Sequence, residues 1–276
     1  MLRPRKEVEI KKSFVPVFSE YGKSLILEIK KLFPYPVLLL GDTGWGKSVI
    51  AREIAKQLDL KFIPINGHPT MDMSMLVGLW RPVQTPNGIT VEWQDGLLTT
   101  AIREGNMFLF EELTRASGEA VSRLFGVLDS SDRFLSLPEA GQINVPIHEN
   151  FWCLATGNQA KSGYSASKLD KALESRFEAI YTIEQPLADE SAILKNHPAI
   201  VDIDRFMHFV TDLRKSKDNV QFPTRELVRV ARLTDKKIPL ERALEMTLRS
   251  KYANNWEGIK ELFNQHFMTS TTKVYI

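Results

Sequence analysis

The chain has 276 residues, with 36 Lys and Arg against 34 Asp and Glu, a formal net charge of +2. Its 43% hydrophobic and 25% charged residues are ordinary globular values that exclude a wholly disordered or fibrous chain. The balanced charge argues against a polybasic nucleic-acid binder but leaves room for a local basic patch, and a chain of this length has room for one large domain or two smaller ones.

The N-terminal Met1-Leu2-Arg3-Pro4-Arg5-Lys6 is basic with no apolar run behind it, so it does not read as a signal peptide. Residues 1–35 read as a basic extension carrying one helix from Glu20 to Leu32. Its cations are those of a solvated surface, with a nucleic-acid arm as the alternative. From Pro36 the pattern changes. Val37-Leu38-Leu39-Leu40 is a short apolar run ending in a glycine-rich turn, which predicts a strand buried on both faces. Ile50, Ile54 and Leu58 then recur every fourth residue, as on one face of a helix. Further strands are predicted at Phe62–Ile65, Met107–Phe110, Phe151–Thr156 and Ile180–Ile183, with helical stretches such as Ala116–Leu128 between them. Strands alternating with helices predict an α/β fold with a parallel sheet covered on both faces. After Pro186 the strand signals stop. Residues 187–276 read as helices, among them Glu190–Leu194, Arg205–Leu213, Arg225–Leu233 and Glu241–Ser250, broken at Pro198, Pro223 and Pro239. The expected organisation is an extension (1–35), an α/β domain (36–186) and a small helical domain (187–276). The tail Met268–Ile276 reads as a loose end or a contact strand.

Cys153 is the single cysteine, so intramolecular disulfides and cysteine-paired zinc sites are excluded. It lies in the apolar run Phe-Trp-Cys-Leu-Ala-Thr, which predicts a buried, unreactive thiol and fits a reducing, cytoplasmic setting. No apolar run approaches a membrane span.

Gly41-Asp42-Thr43-Gly44-Trp45-Gly46-Lys47-Ser48 fits the phosphate-loop pattern G-x-x-x-x-G-K-[ST] in full. Small residues let the backbone wrap a phosphate with successive N–H groups pointing inward, and the following helix adds the positive end of its dipole. Lys47 would reach the β- and γ-phosphates, and the Ser48 hydroxyl would ligate Mg2+. These eight residues, with Val49 in the first helical turn, are the candidate nucleotide-binding set. The strand Met107–Phe110 ends in Glu111 and Glu112. In such a site the first carboxylate holds magnesium and the second polarises the attacking water as a general base.

Five segments in this order resemble the AAA+ ATPases, specifically the group containing MoxR, the CbbQ/NorQ activators, the cobalt-chelatase ATPase subunit and the dynein-like modules. They are the phosphate loop; Gly96-Leu97-Leu98 through Ala101-Ile102-Arg103-Glu104-Gly105; Phe110-Glu111-Glu112-Leu113-Thr114-Arg115-Ala116; Leu137-Pro138-Glu139-Ala140-Gly141 before Ala155-Thr156-Gly157-Asn158; and Ala172-Leu173-Glu174-Ser175-Arg176-Phe177. The resemblance covers most of residues 36–250 and implies a P-loop NTPase sheet followed by an all-α lid, the AAA+ module. It places Asn158 at the sensor 1 position, Arg176 at the arginine finger that reaches a neighbouring subunit's site, and Arg225 at sensor 2 on the lid. Arg115 and Arg123 are further candidates for contacts between subunits. Two positions depart from the family pattern. Glu111 stands where Asp is usual, which bears on hydrolysis more than on binding, and Thr114 replaces the usual Asn.

Val77–Pro82 and Val91–Trp93, joined through Asn87-Gly88, read as a hairpin. The resemblance makes it the insert in the second helix, and makes Phe134–Val145 the hairpin before sensor 1. Both inserts face the ring pore or the partner in that family, so Trp80 and Trp93 either grip a substrate or pack on the sheet. The implied function is Mg2+-dependent ATP hydrolysis by a homo-oligomeric ring, a hexamer by resemblance, that remodels or activates a partner protein. The alternatives are a nucleic-acid motor on the same fold, a small-molecule P-loop kinase, against which Asn158, Arg176 and the helical domain count, and a nucleotide-binding scaffold without turnover, motivated by Glu111.

Overall fold

The computed structural model describes residues 16–86, 88–129, 133–158, 170–216 and 220–268. The basic segment Met1–Lys6, the turn residue Asn87 and the tail beyond Met268 lie outside them.

The first helix, α1 (Glu20–Lys30), starts where Ser19 accepts a hydrogen bond from the Gly22 N–H and Glu20 sits on the positive end of the dipole. Five strands then build one all-parallel sheet: β1 (Val37–Gly41), β2 (Phe62–Asn66), β5 (Met107–Glu111), β8 (Trp152–Gly157) and β9 (Ala179–Ile183). Their spatial order is β2-β5-β8-β1-β9. The expected parallel sheet flanked by helices is therefore present, and alternate residues of each strand decide its two faces. Leu38, Phe108, Phe110, Cys153 and Ala155 face one core together with Leu98 and Ile102 of α4 (Leu97–Glu104) and Leu124 of α5 (Gly118–Leu128). Val37, Leu39, Met107, Leu109, Trp152 and Leu154 face the other, against α1 and α2 (Lys47–Gln57). Cys153 is fully buried, and burial pushes its thiol up to about 12, so it is an unreactive core residue.

Two antiparallel hairpins stand off the sheet. The first, β3 (Gly78–Thr85) with β4 (Gly88–Asp95), lies between the short helix α3 (Met73–Leu76) and α4. The second is β6 (Phe134–Leu137) with β7 (Ile143–Pro146). Trp80 and Trp93 face each other across the first hairpin, edge to face with ring centroids 5.8 Å apart. Trp93 is half-buried against the α/β core, whereas Trp80 is 51% exposed and its indole N–H donates to the Glu139 carbonyl in the second hairpin at 2.8 Å. Arg123 also pairs with the Glu139 carboxylate, so the two inserts are tied to each other and to α5.

Among the described residues the elements after β9 are helices: α7 (Glu190–Leu194), α8 (Ile203–Lys215), α9 (Thr224–Asp235), α10 (Leu240–Leu248) and α11 (Trp256–Phe267). They enclose their own core, which includes Phe206, Phe209, Phe222, Leu227, Leu244 and Phe263. No helix among the described residues is long and apolar enough to cross a membrane.

Candidate functional site

The carboxyl ends of the parallel strands converge on one cleft of about 400 Å³. That end is where a ligand meets backbone and side chains without burying strand edges. β1 runs into the phosphate loop, whose glycines turn through backbone unfavourable to other residues: φ is +84° at Gly44 and +98° at Gly46. A Cβ on Gly44 would stand 3.0 Å from the Pro223 Cβ, so the loop and the helical domain touch there. Gly46 offers no side-chain cap to α2, which leaves the first-turn N–H groups of that helix to whatever sits in front of it.

Lys47 opens α2 and is buried. Its Nζ donates to the Gly41 carbonyl at 2.8 Å and to the Asp42 carbonyl at 2.9 Å. Burial lowers its pKa from 10.5 to about 8; the Asp42 and Glu112 carboxylates oppose the shift and Arg225 adds to it. A buried ammonium with so weak a hold on its proton is an incomplete site for a cation, and phosphate oxygens would complete it.

Around the lysine stand the strand-end residues. Asn158 follows β8, and its Oδ1 accepts from the Thr43 hydroxyl at 3.1 Å, which ties the strand to the phosphate loop. Glu111 ends β5; its carbonyl accepts from Gly67 N–H at 2.6 Å, and it lies in register with Asn66 at the end of β2. Glu112 has a left-handed backbone with φ of +52°, uncommon for a residue with a side chain, and its N–H donates to the Thr156 hydroxyl at 3.2 Å. Arg115 pairs with Glu112 within the same chain at 2.6 Å. Gly44 through Val49, Glu111, Glu112, Asn158 and Arg225 all line the cleft. Ser48 and Glu111 supply hard oxygen donors of the kind Mg2+ takes, and two protein ligands suffice where phosphate oxygens and water complete an octahedron.

Arg225 reaches the cleft because α9 is anchored at its start. The Glu190 carboxylate, at the start of α7, accepts two hydrogen bonds from Arg214, each 2.8 Å, and one from the Thr224 hydroxyl at 2.6 Å. Arg214 also donates to the Phe222 carbonyl at 2.8 Å.

The family model for the AAA domain of the dynein-related subfamily matches residues 36–177. The chain belongs to that AAA family. Midasin of Giardia intestinalis is 32% identical over 142 residues, which are 51% of this chain and 3% of that protein. The gas vesicle ATPase GvpN of Ancylobacter aquaticus is 29% identical over 207 residues, covering 69% of this chain and 57% of that one. YojN of Bacillus subtilis, an uncharacterised protein, is 28% identical over 234 residues, covering 80% and 74%. The chain thus spans 57% or less of the first two relatives.

Within this AAA domain, Arg176 stands apart from the cleft. It follows the short helix α6 (Lys171–Glu174) and packs on the C-terminal end of α5. Several cleft residues belong to none of the candidate sets marked by the sequence motifs. Pro16, Val17, Phe18, Leu187, Ala188, Ile193 and Val228 form its apolar wall, and Thr156, Thr224 and Arg232 add polar groups. The wall is clipped together by backbone: Leu187 N–H donates to the Trp45 carbonyl at 3.0 Å, Ser19 N–H to the Leu187 carbonyl at 3.0 Å, and Asp189 N–H to the Val17 carbonyl at 2.9 Å. Asn66 also lines the cleft and carries the same local signal as Glu111, a polar residue directly after an apolar run.

Proposed function

We propose that the chain is a Mg2+-dependent ATPase that works as a homo-oligomeric ring, a hexamer, and uses turnover to remodel or activate a partner protein. The observation that carries the reading is the convergence of Lys47, Glu112, Asn158 and Arg225 on one cleft with a phosphate loop at its floor. The apolar wall from Val17 to Val228 suits a nucleobase, and the uncapped start of α2 suits the phosphates. Lys47 and Arg225 place positive charge along the phosphate chain. Glu112 takes a proton from the attacking water, while the Asn158 amide orients that water. Mg2+ held by Ser48 and Glu111 would neutralise charge building on the phosphates. Arg176 lies outside its own chain's cleft, which suits a finger that acts on a neighbour's site, where a planar, permanently charged guanidinium bridges phosphate oxygens. The ATPase name of the GvpN relative supports the reaction class.

The test is turnover in mixed assemblies. Glu112→Gln should bind ATP and lose hydrolysis, and Arg176→Ala should bind ATP and lose assembly-dependent hydrolysis. Mixing the two inactive variants should restore activity, because the first donates a finger to the second's intact site. A mixture that stays inactive while assembled would overturn the trans role.

A further inference from the structure

Arg176 is held by a specific constellation on α5. Its Nη1 donates to Asp129 Oδ2 at 2.6 Å and to the Phe125 carbonyl at 3.4 Å, and its guanidinium carbon lies 5.0 Å from the centroid of the Phe125 ring. Among the described residues the Nε is buried without a hydrogen-bond partner. Nη1 is therefore engaged inside the chain, and among the described residues Nη2 is the terminal donor with no acceptor of its own. Both side chains remain about equally accessible, at 33% and 34%.

Asp129 is the residue that caps the C-terminal end of α5. A carboxylate is badly placed there for the helix itself, because the free carbonyls already make that end negative. A half-exposed ion pair also contributes little to folding. Helix stability thus gives no reason for an acid at this position, and the bond to Arg176 gives it one. An arginine has several rotatable bonds, and a bond to Nη1 with a ring below the plane fixes the direction of the remaining edge.

We propose that Asp129 is a positioning residue for the finger: it anchors Arg176 through Nη1 so that Nη2 is presented outward, toward the phosphates bound in the neighbouring subunit. The proposal rests on the finger reading of Arg176 and adds the group that aims it. Asp129 itself touches no substrate.

The test uses the full-length protein as Asp129→Ala, Asp129→Asn and Asp129→Glu, with Arg176→Ala beside them. Losing the anchor misplaces the finger without removing it, so kcat should fall about tenfold to a hundredfold. Removing the finger should cost about a thousandfold or more. KM for ATP and the melting temperature should stay near wild type in all of them, and Asp129→Glu should recover part of the rate. Mixing Asp129→Ala with Glu112→Gln should restore turnover, since the defect travels with the finger and not with the variant's own cleft. If Arg176→Ala is rescued by Glu112→Gln and Asp129→Ala is not, or if Asp129→Ala turns over at the wild-type rate, the positioning role falls while the finger stands. If Arg176→Ala itself is not rescued in an assembled mixture, the finger reading falls and takes this proposal with it.

Discussion

Raising the pH should weaken nucleotide binding, and Lys47 sets the range in which it does so. The side chain is 8% exposed and its Nζ has two backbone carbonyls as acceptors. That environment brings its pKa down to about 8. Phosphate oxygens placed around it favour the charged form, so the bound protein holds the proton to higher pH than the free protein. At pH 7 roughly nine-tenths of free molecules are already charged, and affinity is flat. At pH 9 only about one in eleven is charged, so binding must first draw a proton, which weakens the apparent affinity about tenfold, or about 1.4 kcal/mol. Calorimetric titration of ADP at pH 7, 8 and 9, in buffers of different ionisation enthalpy, reads both the affinity and the proton taken up. Lys47→Arg keeps its charge throughout and should show no such slope, whatever its absolute affinity. Constant affinity from pH 7 to 9 with no proton uptake would show that Lys47 does not gate binding. The same shift has the opposite sign for stability. The unfolded chain keeps this proton up to about 10.5 and the folded chain only to about 8, so the unfolded state binds more protons in between. The burial penalty is therefore complete below pH 8 and is relieved as the pH rises through that window.

Three further outcomes follow from the geometry. Gly44→Ala should lower stability by about 1–2 kcal/mol, because φ of +84° is unfavourable with a Cβ and the added atom would crowd Pro223; denaturant unfolding reads it directly. Glu190→Ala should cost about 3–5 kcal/mol by stranding the Arg214 guanidinium, and should also weaken nucleotide binding, since Thr224 and the start of α9 lose their anchor; equal stability would show that the network is incidental. Arg225→Ala should cost about 2 kcal/mol of ATP affinity with little change in the unfolding midpoint, as a charge-assisted bond from α9 is lost, and unchanged affinity would remove that arginine from the site.

The parts of the fold legible in the sequence are those encoded by contiguous residues. β1, β5 and β8 are continuous apolar runs because both of their faces are buried, and the phosphate loop follows one of them without a break. Glu111 and Glu112 are legible because they close such a run, whereas Asn158 is legible only through the family resemblance of Ala155-Thr156-Gly157-Asn158. The apolar wall was not legible, because Ser19 and Leu187 are 168 residues apart and nothing local marks them as partners. The Arg176–Asp129 pair, 47 residues apart, is hidden for the same reason: each residue alone reads as surface charge. α11 lies within the stretch 187–276 that reads as helical, though its own bounds are not marked out in the sequence reading. Trp80 and Trp93 were open between grip and packing, and the hairpin divides them: Trp93 rests on the core while Trp80 bridges to the second insert. Arg115 and Arg123, read as candidates for contacts between subunits, each hold a carboxylate of their own chain, Glu112 and Glu139.

We propose above all that this cleft hydrolyses ATP through Glu112. Steady-state phosphate release in the presence of Mg2+, measured on wild type and Glu112→Gln together with ATP binding to each, tests it most directly. Wild type should turn over, and the Gln variant should bind ATP as tightly but lose at least about a hundredfold in rate. A wild type that binds ATP without releasing phosphate in any assembly state, or a Gln variant that turns over like wild type, would contradict it.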